Sequence, residues 1–139
     1  MSVEIQFPLE FVVEGTAVSL QAKRRESIDR WKSRIVEASR PVLPEGHFAT
    51  DAPLAITLFY FADTEMQGDL DNIVKPILDA LSRHIYMDDR QIERILVQKF
   101  KPETVFEFGS PTTVLQDALS RPKPVLYIRL SDDPFEELT

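Results

Sequence analysis

Apolar and polar positions alternate along residues 3–13, with Val3, Ile5, Phe7, Leu9, Phe11 and Val13 on one side, which predicts a strand. Pro8 cannot donate to a ladder, so that strand belongs at a sheet edge, bent or interrupted at the proline. From Ser27 the period changes: Ile28, Trp31, Ile35 and Val36 follow helical spacing and stop before Pro41. Trp31 lies on that stripe, which favours a core anchor over a base-stacking platform. Residues 41–53, PVLPEGHFATDAP, read as loop, with His47 as a surface side chain lacking a partner at metal spacing. LAITLFYFAD, 54–63, is β-branched, aromatic and apolar on both faces, as an interior strand is.

Leu70, Ile73, Val74, Ile77, Leu78 and Leu81 then build one apolar stripe at offsets of three and four, a helix that Pro76 should bend. QIERILVQKFK, 91–101, and KPVLYIRLS, 123–131, read as strands. Between them Ser110 as N-cap and Pro111 at the first helical position predict a short helix. The order strand, helix, strand, helix, strand, short helix, strand defines an α+β fold, a small mixed β-sheet packed with helices.

The length of 139 residues suits a single domain over 1–139. An apolar fraction of 43% and a charged fraction of 28% are those of a folded chain. The absence of cysteine excludes disulfides, thiol nucleophiles and Cys-ligated zinc. No apolar run reaches the roughly 18 residues a membrane span needs, and the alternating, acid-bearing N-terminus differs from a signal peptide; a cytoplasmic protein without membrane contact is expected.

Net charge is −7, yet it is unevenly spread: residues 22–40 hold seven basic side chains against three acidic ones, and 132–137 hold four acids. The basic run is either the solvated face of a helix or an arm for phosphates. The segment 132–139 is expected to be a flexible acidic tail.

Candidate chemistry concentrates in GDLDNIVKPILDAL, 68–81, and MDDR, 87–90. Side chains two apart share a face only on extended backbone, so Asp69 and Asp71 converge only ahead of the helix proper. An N-cap accounts for one aspartate and leaves the other. Lys75 follows Asp71 by four residues, placing its ammonium over the same helix end. Asp88 and Asp89 in a turn are ordinarily turn chemistry. Taken together, these side chains offer hard oxygen ligands and one cation, a set suited to Mg²⁺ or Mn²⁺.

Helix geometry bears on assembly. If the helix runs from Asp71 to His84 it rises about 20 Å, and the five residues back to Asp89 return at most about 17 Å. Asp89 would then meet Asp69 and Asp71 of another subunit across a two-fold axis; a helix ending well before His84 permits a site within one chain. His84 is expected near the helix C-terminus, where its charged form is favoured.

D-L-D-N, the lysine four residues on, the LDAL continuation and the D-D before a strand resemble the RusA-like Holliday junction resolvases over about residues 69–101. The resemblance implies a Mg²⁺-dependent α+β homodimer with two-fold symmetry that nicks branched DNA, with Mn²⁺ able to substitute. It assigns metal binding and catalysis to Asp69, Asp71 and Asp89, and a catalytic role to Lys75. DNA contacts would come from Lys23, Arg24, Arg25, Arg30, Lys32 and Arg34 on the basic arm, and from Lys99 and Lys101 at a strand end. The chain departs from the family pattern in its TEMQG lead-in, in residues 103–122 inserted before the last strand, and in its negative charge. Two other functions fit the same residues: a non-cleaving DNA- or protein-binding module of the same fold, and a metal-dependent phosphoesterase acting on nucleotides.

Overall fold

The computed structural model describes residues 3–20, 22, 24–65 and 70–136. Among these, four strands and three helices follow in the expected order: β1 (Leu9–Glu14), α1 (Arg25–Ser39), β2 (Leu54–Phe61), α2 (Leu70–Leu81), β3 (Ile92–Phe100), α3 (Thr113–Ser120) and β4 (Val125–Ser131). The sheet runs β1-β4-β2-β3, antiparallel at its first two pairings and parallel between β2 and β3. This is the mixed α+β sheet expected of the sequence.

Pro8 acts as a strand boundary. β1 begins at Leu9, on the edge of the sheet, while Val3 forms only an isolated bridge with His47. β2 is covered on both faces and flanked on both sides, as its unbroken apolar character requires. Its Leu54, Ile56, Leu58 and Tyr60 join Leu9, Phe11 and Val13 of β1 and Leu126, Ile128 and Leu130 of β4 in one core under α1 and α2. Trp31 is buried in that core and is no stacking platform.

The opposite face carries Phe61, Val125 and Tyr127, covered by Leu115 and Ala118 of α3. Phe106 and Phe108 complete the layer, packing on Phe61 and Phe100. The inserted residues 103–122 therefore supply the second covering layer of the sheet.

Several local expectations are corrected. Helix α1 starts at Arg25, ahead of Ser27, and no side chain caps it. The α3 cap is Thr112, whose hydroxyl accepts from the Leu115 N–H at 3.2 Å, two residues after Ser110. The same hydroxyl donates to Glu10 of β1 at 2.5 Å, so the choice of cap is set by the sheet beneath. His47 is half-buried; its Nε2 donates to the His84 carbonyl at 3.0 Å and the two rings meet edge-on at 5.2 Å. The acidic tail is pinned over 132–136: Glu136 pairs with Arg129, and Arg94 donates to the carbonyls of Pro134 and Glu136 at 3.1 and 2.8 Å.

Candidate functional site

Helix α2 carries the first half of the site. It begins at Leu70, which places Asp71 in the first helical turn and not on an extended approach. A negative charge in the first turn is favoured by the unpaired N–H groups and positive dipole end of a helix. Asp71 is exposed, and Lys75 lies one turn further along the same face. Asp69 lies outside the described residues.

Pro76 sits near the middle of α2 and the helix continues through it. Lacking an N–H, it leaves the carbonyl four residues earlier, that of Asn72, without its helical donor. The Leu20 N–H supplies the missing bond at 2.7 Å. At the other end of the pair, Ser39 of α1 and His84 are hydrogen-bonded at 2.8 Å. The two helices therefore lie side by side in the same direction, and the chain just ahead of the basic arm is tied to the turn that bears Asp71.

The second half arrives by a tight return. Helix α2 ends at Leu81, well before His84, and Arg83 adopts a left-handed conformation at φ 64°. The fully buried Tyr86 fastens the loop to α2 by donating to the Leu78 carbonyl at 2.5 Å. Asp88 then caps a short 3-10 turn, Asp89–Gln91, accepting from the Arg90 N–H at 2.9 Å. Gln91 accepts from the Met87 and Asp88 amides at 2.8 and 2.9 Å and donates to the Thr50 and Ala52 carbonyls, both at 2.9 Å. Asp88 is thus turn chemistry, and its carboxyl is held below its ordinary range chiefly by the Arg90 N–H. Asp89 is released to face the helix.

There it meets Lys75. The ammonium lies 2.8 Å from an Asp89 oxygen and 2.8 Å from an Asp79 oxygen, bridging α2 and the return loop within one chain. Because α2 ends three residues before His84, the reach of the chain no longer requires a shared site, and a site within one chain becomes possible. Asp79, and then Asp89, raise the Lys75 pKa above the ordinary lysine range, so the group is a fixed cation. Asp79 was missed as a site residue; its signal was the four-residue spacing from Lys75.

The basic residues separate into groups. Arg24 and Arg25 are exposed at the start of α1, and Lys23 lies outside the described residues. Arg30 and Arg34 line a groove with Thr16, Val18 and Trp31. Arg34 also donates to the Glu14 carbonyl at 3.0 Å, a contact that commits it to the fold. Lys32 lies on the other side of α1, lining a groove with Asp79. Lys99 is half-buried in β3, and Lys101 is exposed beside Asp63 and Glu65 beyond the ends of β2 and β3.

Among the described residues no three acidic or histidine side chains gather as metal ligands. The available donors, Asp71 and Asp89, are hard carboxylates, and the chemistry of that set fits Mg²⁺ or Mn²⁺. No described helix is long and apolar enough to cross a membrane.

Fold and site together define a small α+β protein whose carboxylates and fixed lysine lie beside a basic helix. Residues 20–106 match the family described as endodeoxyribonuclease RusA, spanning both halves of the site and the whole of the basic helix. The match covers more than half of the chain, and the chain belongs to the RusA endodeoxyribonuclease family. No curated protein matches the chain.

Proposed function

We propose that this protein is a Mg²⁺-dependent, structure-specific endonuclease that resolves four-way DNA junctions by paired phosphodiester hydrolysis, working as a two-fold homodimer. The observation that carries this reading is the bond between Lys75 and Asp89, 14 residues apart, one helical turn from Asp71 and in a chain of this family. Nothing in the stability of the fold calls for it, since an exposed ion pair contributes only about 0.2–1 kcal/mol.

Asp71 and Asp89, with Asp69, are the residues that would hold the metal. Bound there, it would supply Lewis acidity toward a phosphate oxygen and neutralise charge in the transition state. Lys75 stays protonated and presents a positive charge to the phosphate; its raised pKa makes it a poor general base. Asp79 retains the ammonium when Asp89 turns to another ligand. The Gln91 bonds to four backbone groups hold Asp89 in register with α2. Arg24, Arg25 and Lys32 would bind DNA phosphates, and two copies about a two-fold axis would deliver symmetric nicks.

The test incubates the purified protein with labelled four-way junction, linear duplex and flap DNA, with and without Mg²⁺. Paired nicks confined to the junction and dependent on the metal are expected, and Asp71→Asn should abolish them while leaving the fold intact. Binding without cleavage would instead identify a non-cleaving module, and turnover of nucleotides without DNA binding a phosphoesterase.

A further inference from the structure

Beyond β4 the chain folds back over the aromatic face of the sheet and ends on two arginines. β4 finishes at Ser131 opposite Ala55, at the end of the sheet where β2 and β3 begin and where the Asp89–Gln91 turn enters β3. Residues 132–136 then close on themselves: the Glu136 N–H donates to the Asp133 carbonyl at 3.2 Å, and the Phe135 N–H to the Asp133 carboxylate at 3.1 Å. This turn delivers Glu136 to Arg129 and Arg94.

The register explains how two guanidinium groups reach one residue. Arg129 of β4 pairs with Thr57, and Arg94 of β3 pairs with Ala55. Thr57 and Ala55 are two apart on β2 and share a face, so both arginines rise from that face, one on either side of β2 and over two small side chains. Two nitrogens of Arg129 meet the two carboxylate oxygens of Glu136, the second pair at 3.4 Å, fork against fork. One nitrogen of Arg94 donates to the carbonyls of Pro134 and Glu136. Among the described residues no carboxylate is bonded to Arg94, so neutral carbonyls cap its charge.

The attachment is polar. Phe135, the one aromatic side chain of the segment, stays 66% exposed, so little apolar burial holds the segment down. A contact made of charge and carbonyl groups is open to competition from another anion. A phosphodiester offers a guanidinium fork the same pair of acceptor oxygens that Glu136 does.

We propose that Arg94 and Arg129 form a phosphodiester-binding site, separate from the basic arm of α1, and that Glu136 fills it as an intramolecular stand-in for phosphate. Nucleic acid then gains this site only by displacing residues 132–136. The site rests on the DNA binding of the proposed function and adds a built-in competitor to it.

The test measures binding of the full-length protein to labelled four-way junction and linear duplex without metal, so that cleavage plays no part. Glu136→Gln removes the competing charge and should tighten binding about fivefold, the order of a single partly buried ion pair. It should also steepen the log–log salt dependence by about 0.9, because in the wild type the displaced Glu136 takes back the cation that the phosphate gives up. Asp132→Asn removes the same charge from an exposed position in the same segment that is bonded to neither arginine; it should change affinity by less than about twofold, through screened long-range charge alone. Adding Arg129→Gln to Glu136→Gln should cancel the gain. Circular dichroism confirms that each variant is folded. DNA binding by the wild type with no gain in Glu136→Gln, an equal gain in Asp132→Asn, or a gain that survives Arg129→Gln would overturn this site and leave the nuclease reading standing. Failure of every form to bind DNA would overturn the DNA-binding reading and this site with it.

Discussion

The amide of Leu20 donates to the carbonyl of Asn72, the acceptor left free because Pro76 has no hydrogen to give it. A proline inside a helix costs about 3 kcal/mol relative to alanine, and here it fastens the approach to the basic arm onto the turn bearing Asp71. Pro76→Ala restores a competing donor. The Leu20 amide should then lose about tenfold of its hydrogen-exchange protection while the melting temperature holds or rises. Unchanged protection at Leu20 would show that the proline has no part in this bond.

Asp79 and Asp89 share one lysine, and the proposed function gives the metal-ligand role to Asp89 alone. Asp89→Asn should therefore eliminate metal-dependent cleavage, whereas Asp79→Asn should slow it roughly tenfold without eliminating it. Each pair is partly exposed and contributes about 0.2–1 kcal/mol, so melting temperatures should move by no more than about 4 °C. Equal losses of activity would make Asp79 more than a retainer of Lys75.

Among the basic residues, Arg24 and Arg25 have solvent-facing side chains, whereas the Arg34 guanidinium is engaged with the Glu14 carbonyl. Neutralising Arg24 and Arg25 together should reduce the salt dependence of junction binding by about two phosphate contacts' worth, a change of about 1.8 in the log–log slope. Arg34→Gln should leave the slope nearly unchanged and lower stability instead. Titrating binding against salt concentration separates the two outcomes.

His84 should make the fold sensitive to mild acid. Burial, then the neighbouring His47 and Arg40, lowers its pKa in the folded chain, against a smaller opposing pull from Glu37. Below about pH 6.5 the unfolded chain takes up this proton while the folded chain resists it. Stability should fall as pH drops from about 6.5 toward the lowered folded-state value, and stay level on this account above 6.5. Thermal melts between pH 5 and 7.5 should show that slope in the wild type and lose most of it in His84→Gln.

The docked tail gives a fifth measurement. Arg129 holds the Glu136 carboxyl below its ordinary range, so this pair stabilises above about pH 4.5 and fades as pH falls through the depressed value. Glu136→Gln should cost about 1 kcal/mol near neutrality, and less in acid. A variant as stable as the wild type at pH 7 would mean that the backbone bonds to Arg94 alone hold the segment.

The amino-acid sequence by itself determined the elements and the chemistry. Alternation and helical spacing are local properties, so β2, α2 and β4 were legible almost to the residue, and D-L-D-N, Lys75 and the Asp88–Asp89 pair marked the chemistry. Tertiary structure decided which residues meet. The left-handed turn at Arg83 and the Tyr86 bond bring Asp89 back to Lys75, and the Gln91 bonds assign Asp88 to the turn and Asp89 to the site. Pro76 reads locally as a helix defect, and only the Leu20 donor, 52 residues before Asn72 and in another segment, makes it a fastening. The acidic tail likewise reads as free chain until Arg94 and Arg129 are seen beneath it. The reason is common to all of these. A residue's spacing fixes its own backbone geometry, but the partner of a hydrogen bond or charge is chosen by segments distant in sequence, whose positions depend on how the whole core packs.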